Sequence, residues 1–358
     1  MNELTFLHGA PTVSADIRSR NSDFVVQEIL PFLPSGDGEH HLLHVRKDGL
    51  NTVQVAEMLA RFAKVHPKEV TFAGQKDKNA VTEQWFGVRI PGKDTPAWTE
   101  LNSEQLTILS SARHNKKLRT GALSGNRFTL TLRNVSDMAA LEARLALIAQ
   151  SGVPNYYGEQ RFGHDGRNLV QARQMFQGRK VKDRNKRSIY LSAARSMLFN
   201  EVVSGRLARI GLELLDGDCV MLAGSRSFFV AEQWDDTLKG RLAEGDIQLS
   251  APQWGRGQQL SQGAAAALET ELLEPFTLER DGLEQAGLEQ ERRPLLLKPE
   301  TLSHKVDGDT LVLDFILPAG SFATSVLREL CQYTDVQEQA WREAVANKAE
   351  EADVPAGQ

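Results

Sequence analysis

Strand patterning sits at the two ends of this chain, and a long helical block separates them. Phe24 to Ile29 reads FVVQEI, short and rich in β-branched residues. Residues 41–47, 69–73 and 82–90 carry similar apolar runs, punctuated by Lys47-Asp48-Gly49 and Pro91-Gly92. Alternation returns at 128–132, and again past Glu291 at 294–298 and 310–317. Between them, helical periods cover about 168–176 and 186–210, the second ended by Gly211, and an alanine-rich stretch covers 258–273. A short strand pair is expected near Asp216-Gly217-Asp218 and at 228–231. A chain of 358 residues exceeds what one core usually organises. The pattern therefore predicts one domain built from both ends, with a second, about Gly152 to Arg293, inserted into it. An insertion is tolerated because the ends of a domain commonly lie close together.

Helix signals also lie outside that central block. Asn51-Thr52 opens one helix, with Val55, Leu59 and Phe62 on a single stripe and Pro67 beyond its end. Ser136-Asp137 opens another, with Leu141, Leu145 and Ile148 on one face and Gly152 as its stop. A further helix is expected from Ser321 in PAGSFATSVLREL, and the acidic stretch after Ala344 is expected to fray.

Net charge is −5, which by itself points to no polyanion, but the charge is unevenly spread. Ser111 to Arg209 holds 19 Lys and Arg against 6 Asp and Glu, a local +13, so the remainder carries −18. Clustered cations of this kind suit phosphate contacts and point to nucleic acid. The densest run is RKVKDRNKR, Arg179 to Arg187, which contains Lys182, Arg184, Lys186 and Arg187. Taken alone, that run could equally be a solvated loop that binds nothing. No apolar stretch is long enough to cross a bilayer, and the start lacks the pattern of a signal peptide. Cys219 and Cys331 read as buried thiols in a reducing cytoplasm.

The stretch AGQKDKNAVTEQW places Asp77 between Lys76 and Lys78, in a loop between two strands. The lysines are expected to keep the carboxylate charged, which suits a nucleophile or a general base. On spacing alone, an Asp supporting its own turn is the commoner explanation. In GNRFTL, Asn126 and Phe128 fall two residues apart on a strand, hence on one face. An amide reads a base edge and a phenyl ring stacks on it, although core packing also explains Phe128. Phe322, at a helix start, is a candidate second wall. His40, His41 and His44 lie on a predicted strand without a cysteine or acidic ligand at metal spacing, so no metal site is expected. Dinucleotide, phosphate-loop and nucleophile-elbow signatures are also missing, which suits a hydrolysis or an isomerisation.

These segments, with VPNYYGEQRFG, DRNKRSIYLSAARSMLFN and LPAGSFATSVLREL, resemble the TruD family of pseudouridine synthases from about Leu7 to Thr334. The resemblance implies an α+β fold: a pseudouridine-synthase-like domain, with a mixed, mainly antiparallel sheet flanked by helices, formed by residues 1–151 and 299–340. It also implies an inserted α+β TRUD domain over 152–298, followed by a flexible tail over 341–358. The activity implied is isomerisation of uridine 13 of tRNA to pseudouridine, without cofactor or metal. The family's catalytic aspartate falls on Asp77. Phe24, Asn126, Phe128 and Phe322 fall where the uracil is held, with Lys76 alongside. Arg18 stands where the family tends to carry lysine, which keeps the charge and changes the donor geometry. Phe128 stands where other pseudouridine synthases have tyrosine, so proton transfer must come from another group.

The chemistry sets three demands. The base must leave its stack, the detached uracil must be retained, and water must be kept out. Attack by Asp77 on the sugar and removal of a C2′ proton both meet them. Lys182, Arg184, Lys186 and Arg187 are expected on the RNA backbone, with the RNA in a cleft between the domains. A monomer in the cytoplasm with tRNA as partner, and no membrane association, is expected. A nuclease would need paired acidic metal ligands or a His/Lys acid–base set, and a methyltransferase a glycine-rich cofactor loop. The remaining alternative is a non-catalytic RNA-binding module or chaperone in which Asp77 is structural.

Overall fold

The computed structural model describes residues 3–92 and 94–353, with side chains described as far as residue 345. The fold is α+β, and the chain divides into two units. One unit comprises Thr12–Ala143, Pro299–Gly320 and the chain from Cys331 onward. The other comprises Arg144–Lys298, the segment ending at Pro11, and Ser321–Leu330.

The first unit is organised by an eight-stranded mixed sheet without barrel closure. Along its main path the strands run Glu300–Asp307, Thr310–Pro318, Gly125–Leu132, Phe24–Ile29, Val81–Arg89, His40–Asp48 and Leu106–His114. Val70–Phe72 adds to Val81–Arg89 off this path. Every pairing is antiparallel except that between Phe24–Ile29 and Val81–Arg89. The helix Thr52–Phe62 begins where expected, because the Asn51 side chain accepts from the Gln54 amide while the Gln54 side chain accepts from the Asn51 amide. It buries Val55 and Leu59 completely against Leu43, Val45, Phe86 and Trp98. Each such side chain contributes about 1.5–3 kcal/mol by leaving water.

Several strands were not foreseen, Ile247–Gln253 and Glu300–Asp307 among them, and two others depend plainly on a distant partner. Leu106–His114 alternates only at Leu106 and Ile108 before reaching Ser110-Ser111, so its local pattern is weak; pairing with His40–Asp48 makes it a strand. Ser14–Ile17 pairs in parallel with Gln332–Asp335, across most of the sequence.

The second unit has a four-stranded antiparallel sheet in the order Phe228–Ala231, Asp218–Leu222, Ile247–Gln253 and Glu291–Pro294. Its central helix is Arg184–Ile210, which starts two residues before the expected point because the Asp183 carboxylate caps the amides of Asn185 and Lys186. Phe199, Val202 and Val203 of this helix are buried with Val220, Ile247 and Leu283. The alanine-rich helix starts only at Gly263.

The unit extends beyond the expected 152–298. Leu4 and Leu7 pack on its core, the Leu7 and His8 amides donate to the Glu329 carboxylate, and Arg144 donates to the Glu329 carbonyl. These contacts draw the chain start and the helix Ala323–Leu330 into the second unit. Residues expected to form a tail from 341 are helical as far as Asp353, within Val336–Asp353, and 354–358 lie outside the described residues.

Candidate functional site

Asp77 lies in the loop between Val70–Phe72 and Val81–Arg89, and buried polar groups pin that loop at successive positions. Gln84, fully buried, donates from Nε2 to the Gly74 carbonyl. Thr52 Oγ1 accepts from the Lys76 amide at 2.9 Å and donates to Gln84 Oε1 at 3.0 Å. Lys47, with no exposed surface, donates from Nζ to the Asp77 carbonyl at 3.0 Å and to the Leu50 carbonyl at 2.7 Å. The backbone is thus fixed while the Asp77 side chain remains 43% exposed, open to a reactant.

The carboxylate itself is oriented by Arg18. Arg18 Nη2 donates to Asp77 Oδ2 at 3.0 Å, and Nη1 donates to Asp335 Oδ2 at 2.6 Å. A planar guanidinium spans two acids in this way, which the point charge of lysine does not reproduce. Arg18 adopts φ 54°, a left-handed conformation that costs a non-glycine residue roughly 1–2 kcal/mol. The same guanidinium lies over the Phe24 ring, 4.1 Å from its centroid. Phe24 meets Phe128 edge to face at 6.4 Å, and Phe128 stacks on Phe315 at 5.5 Å.

Asn126 shares the Phe128 face and stands opposite Glu28 in the neighbouring strand. Its Oδ1 is buried without a hydrogen-bond partner among the described residues. An unpaired buried acceptor is costly and calls for a donor from outside.

Lys76 is not the cation at the Asp77 carboxylate. Its Nζ donates to Glu28 Oε1 at 2.6 Å, while Glu28 Oε2 accepts from the Trp85 amide at 2.8 Å. The Glu28 side chain has no exposed surface, so it requires a cation and takes the one within reach. Burial pushes the Glu28 carboxyl up although Lys76 pulls it down. Lys47 faces Asp77, Lys76, Glu28 and Asp48, and burial brings its ammonium down to about 8.

One unit therefore brings together Arg18, Phe24, Lys76, Asp77, Asn126 and Phe128. Phe322 belongs to the other unit, where it packs edge to face on Tyr157 at 5.8 Å and lies under Arg161. Lys182 precedes the cap of the Arg184–Ile210 helix, and Arg184, Lys186 and Arg187 occupy its exposed first turn. His44 stacks on Trp85 at 4.6 Å, and among the described residues no three His, Cys, Asp or Glu are grouped to hold a metal ion.

Glu28, Lys47 and Asp335 were missed at the sequence level. For two of them a signal exists: Glu28 continues the inward series Phe24, Val26, and Lys47 continues Leu43, Val45. A charge at the inward step of an alternating strand marks a buried polar site. Asp335 carries no comparable signal.

A family model described as tRNA pseudouridine synthase D (TruD) matches residues 1–177 and 166–330. A tRNA pseudouridine synthase D from Shewanella oneidensis is 68% identical over 342 residues, covering 96% of this chain and 92% of that protein. The protein of the same name from Aeromonas hydrophila is 55% identical over 333 residues, covering 93% and 95%. A crystal structure from Methanosarcina mazei, described as a tRNA pseudouridine synthase D, superposes with TM-score 0.70 over 91% of this chain and 95% of that one; at 22% identity it speaks for the fold.

Proposed function

This chain belongs to the tRNA pseudouridine synthase D (TruD) family, and from that premise we propose that it isomerises uridine 13 of tRNA to pseudouridine, with Asp77 acting on an extruded uridine. One observation carries the assignment of the residue. Asp77 presents a reachable carboxylate, aimed by a guanidinium that also covers an aromatic ring.

The N1–C1′ bond breaks, the uracil turns over, a C5–C1′ bond forms, and the C5 proton is lost to solvent while N1 gains one, so that no atom is gained or lost overall. Asp77 either attacks C1′ or removes the C2′ proton. Phe24 and Phe128 supply apolar surface that retains the base and excludes water. The buried Asn126 Oδ1 fits the N3–H of uracil, which would supply the donor it lacks. Lys182, Arg184, Lys186 and Arg187 are assigned to the RNA backbone by charge and exposure. The protein is taken to act as a monomer in the cytoplasm. No helix among the described residues is long and apolar enough to cross a membrane.

The test is tritium release from tRNA carrying [5-³H]uridine, with the modified position mapped. Release is expected from wild-type tRNA and not from a transcript with cytidine at position 13. Equal release from both transcripts would remove the positional assignment, and release from neither would remove the enzyme reading in favour of an RNA-binding module.

Lys47 adds a pH prediction. The ammonium that holds the Asp77 carbonyl is lost as pH rises through about 8, so the rate is expected to decline above that pH. Lys47→Met is expected to lower kcat about 10- to 100-fold, by loosening the position of Asp77, and to abolish that alkaline limb. Stability runs the opposite way. The unfolded lysine keeps its proton up to 10.5, so this group's contribution improves between about 8 and 10.5 and is lost as pH falls through about 8. An alkaline limb unchanged in Lys47→Met would assign it to another group.

A further inference from the structure

The second unit contains a pocket of about 270 Å³ against the Arg184–Ile210 helix, lined among others by Tyr157, Arg161, Ser192, Arg195 and Gln253. None of its lining residues belongs to the unit that carries Asp77. Three guanidiniums gather at its aromatic wall: Arg293 lies 4.2 Å from the Tyr157 centroid, Arg161 lies 5.2 Å from it, and Arg195 lines the same pocket. One carboxylate, Glu291, pairs with Arg195 at 3.1 Å and is itself largely exposed. Burial holds Arg195 below its ordinary range although Glu291 draws it up.

The hydrogen bonding is incomplete in one sense only. Tyr157 donates to Gln253 Oε1 at 3.3 Å, and Arg161 Nη1 donates to Ser192 Oγ at 2.9 Å. Arg195 donates to the carbonyls of Gln253 and Glu289. Gln253 is 9% exposed, yet its Nε2 is buried without a partner among the described residues, and so is Arg195 Nε. Both of these unpartnered atoms are donors, so they suit an acceptor, and the surrounding guanidiniums favour an anion.

The helix leads to this place from the basic run. Arg184, Ser188 and Ser192 are spaced by four residues, as are Arg187, Leu191 and Arg195, so one face carries exposed cations at its start and the pocket two turns on. Arg187 and Arg195 are separated by about 12 Å of helix rise.

We propose that the Tyr157–Arg161–Arg195–Gln253 pocket is a subsite for an RNA phosphate and its nucleoside, continuing the track begun by Arg184 and Arg187. The inference rests on the tRNA reading above. The phosphate oxygens accept from Arg161, Arg195 Nε and Gln253 Nε2.

The test compares tRNA binding over a salt series for wild type, Arg161→Gln, Arg161→Lys and Ser192→Asp, with thermal melts as fold controls. Arg161→Gln is expected to weaken binding about tenfold at 0.1 M salt, and to reduce the slope of log K against log salt by about 0.7–0.9. Arg161→Lys keeps the slope. Ser192→Asp, which adds a carboxylate without removing a scaffold contact of Arg195, also weakens binding at least tenfold. Folded Arg161→Gln and Ser192→Asp chains with wild-type affinity and slope overturn the proposal. Uridine 5′-monophosphate and inorganic phosphate are titrated in parallel. If they bind wild type and lose affinity in Arg161→Gln while tRNA binding does not change, the pocket takes a small anion and the RNA assignment is overturned. A wild-type chain that releases tritium from tRNA, beside pocket variants that bind as it does, removes only this inference. A wild-type chain that neither binds tRNA nor releases tritium removes the functional reading as well.

Discussion

Asp77→Asn is expected to release tritium from tRNA about 10³-fold more slowly than wild type, while still binding tRNA. Asparagine matches aspartate in size, so the contacts that pin the loop persist. Lys47 still reaches the residue-77 carbonyl, and Gln84 and Thr52 still hold the Gly74 carbonyl and the Lys76 amide. Arg18 retains Asp335 at 2.6 Å. The amide lacks both nucleophilicity and basicity, and loss of a positioned proton-transfer group costs about 10²–10⁴ in rate. A factor of 10³ corresponds to about 4 kcal/mol of transition-state stabilisation. Asp77→Glu keeps the charge and displaces it by one methylene. Misplacement of about 1 Å can cost on the order of 10²-fold, so glutamate is expected to rescue only part of the rate. Activity of Asp77→Asn within threefold of wild type would exclude a catalytic carboxylate. Loss of rate together with loss of melting temperature would instead make the residue structural.

The second large effect is on stability. Glu28→Ala is expected to destabilise the protein by about 3–5 kcal/mol, read as a fall in the urea midpoint. Both carboxylate oxygens are used, by Lys76 Nζ at 2.6 Å and by the Trp85 amide at 2.8 Å, and the side chain has no exposed surface. Truncation leaves the Lys76 ammonium, 11% exposed, without its anion, and a sheet amide without an acceptor. The intact pair does not fully repay its desolvation, since burial outweighs Lys76 at the Glu28 carboxyl. Glu28→Leu combined with Lys76→Met is therefore expected to recover most of the lost stability. Tritium release by the double variant then isolates any direct role of Lys76 in substrate binding. A cost below about 1 kcal/mol for Glu28→Ala would show that the loop does not depend on this pair.

Local elements were readable where one short stretch carried a complete signal. Phe24–Ile29 and the helix Thr52–Phe62 begin at the expected residues, because β-branched alternation in one and an Asn–Gln capping box in the other act within a few residues. Gly211 ends the long helix as expected. Strand Leu106–His114 and the pairing of Ser14–Ile17 with Gln332–Asp335 were not readable, since the partner that satisfies each backbone lies elsewhere in the chain.

For the candidate site, chain order alone singled out Asp77 and the Asn126–Phe128 step, and resemblance to a family joined them to Phe24 and Arg18. Contacts decided which cation serves which acid: Arg18 reaches Asp77, and Lys76 turns to Glu28. Residue types and short-range spacing dictate propensity and chemistry, because they act through bonds and nearest neighbours. Pairing of buried charges is a competition among every group the packed chain brings within a few ångströms, and only the folded arrangement sets those distances.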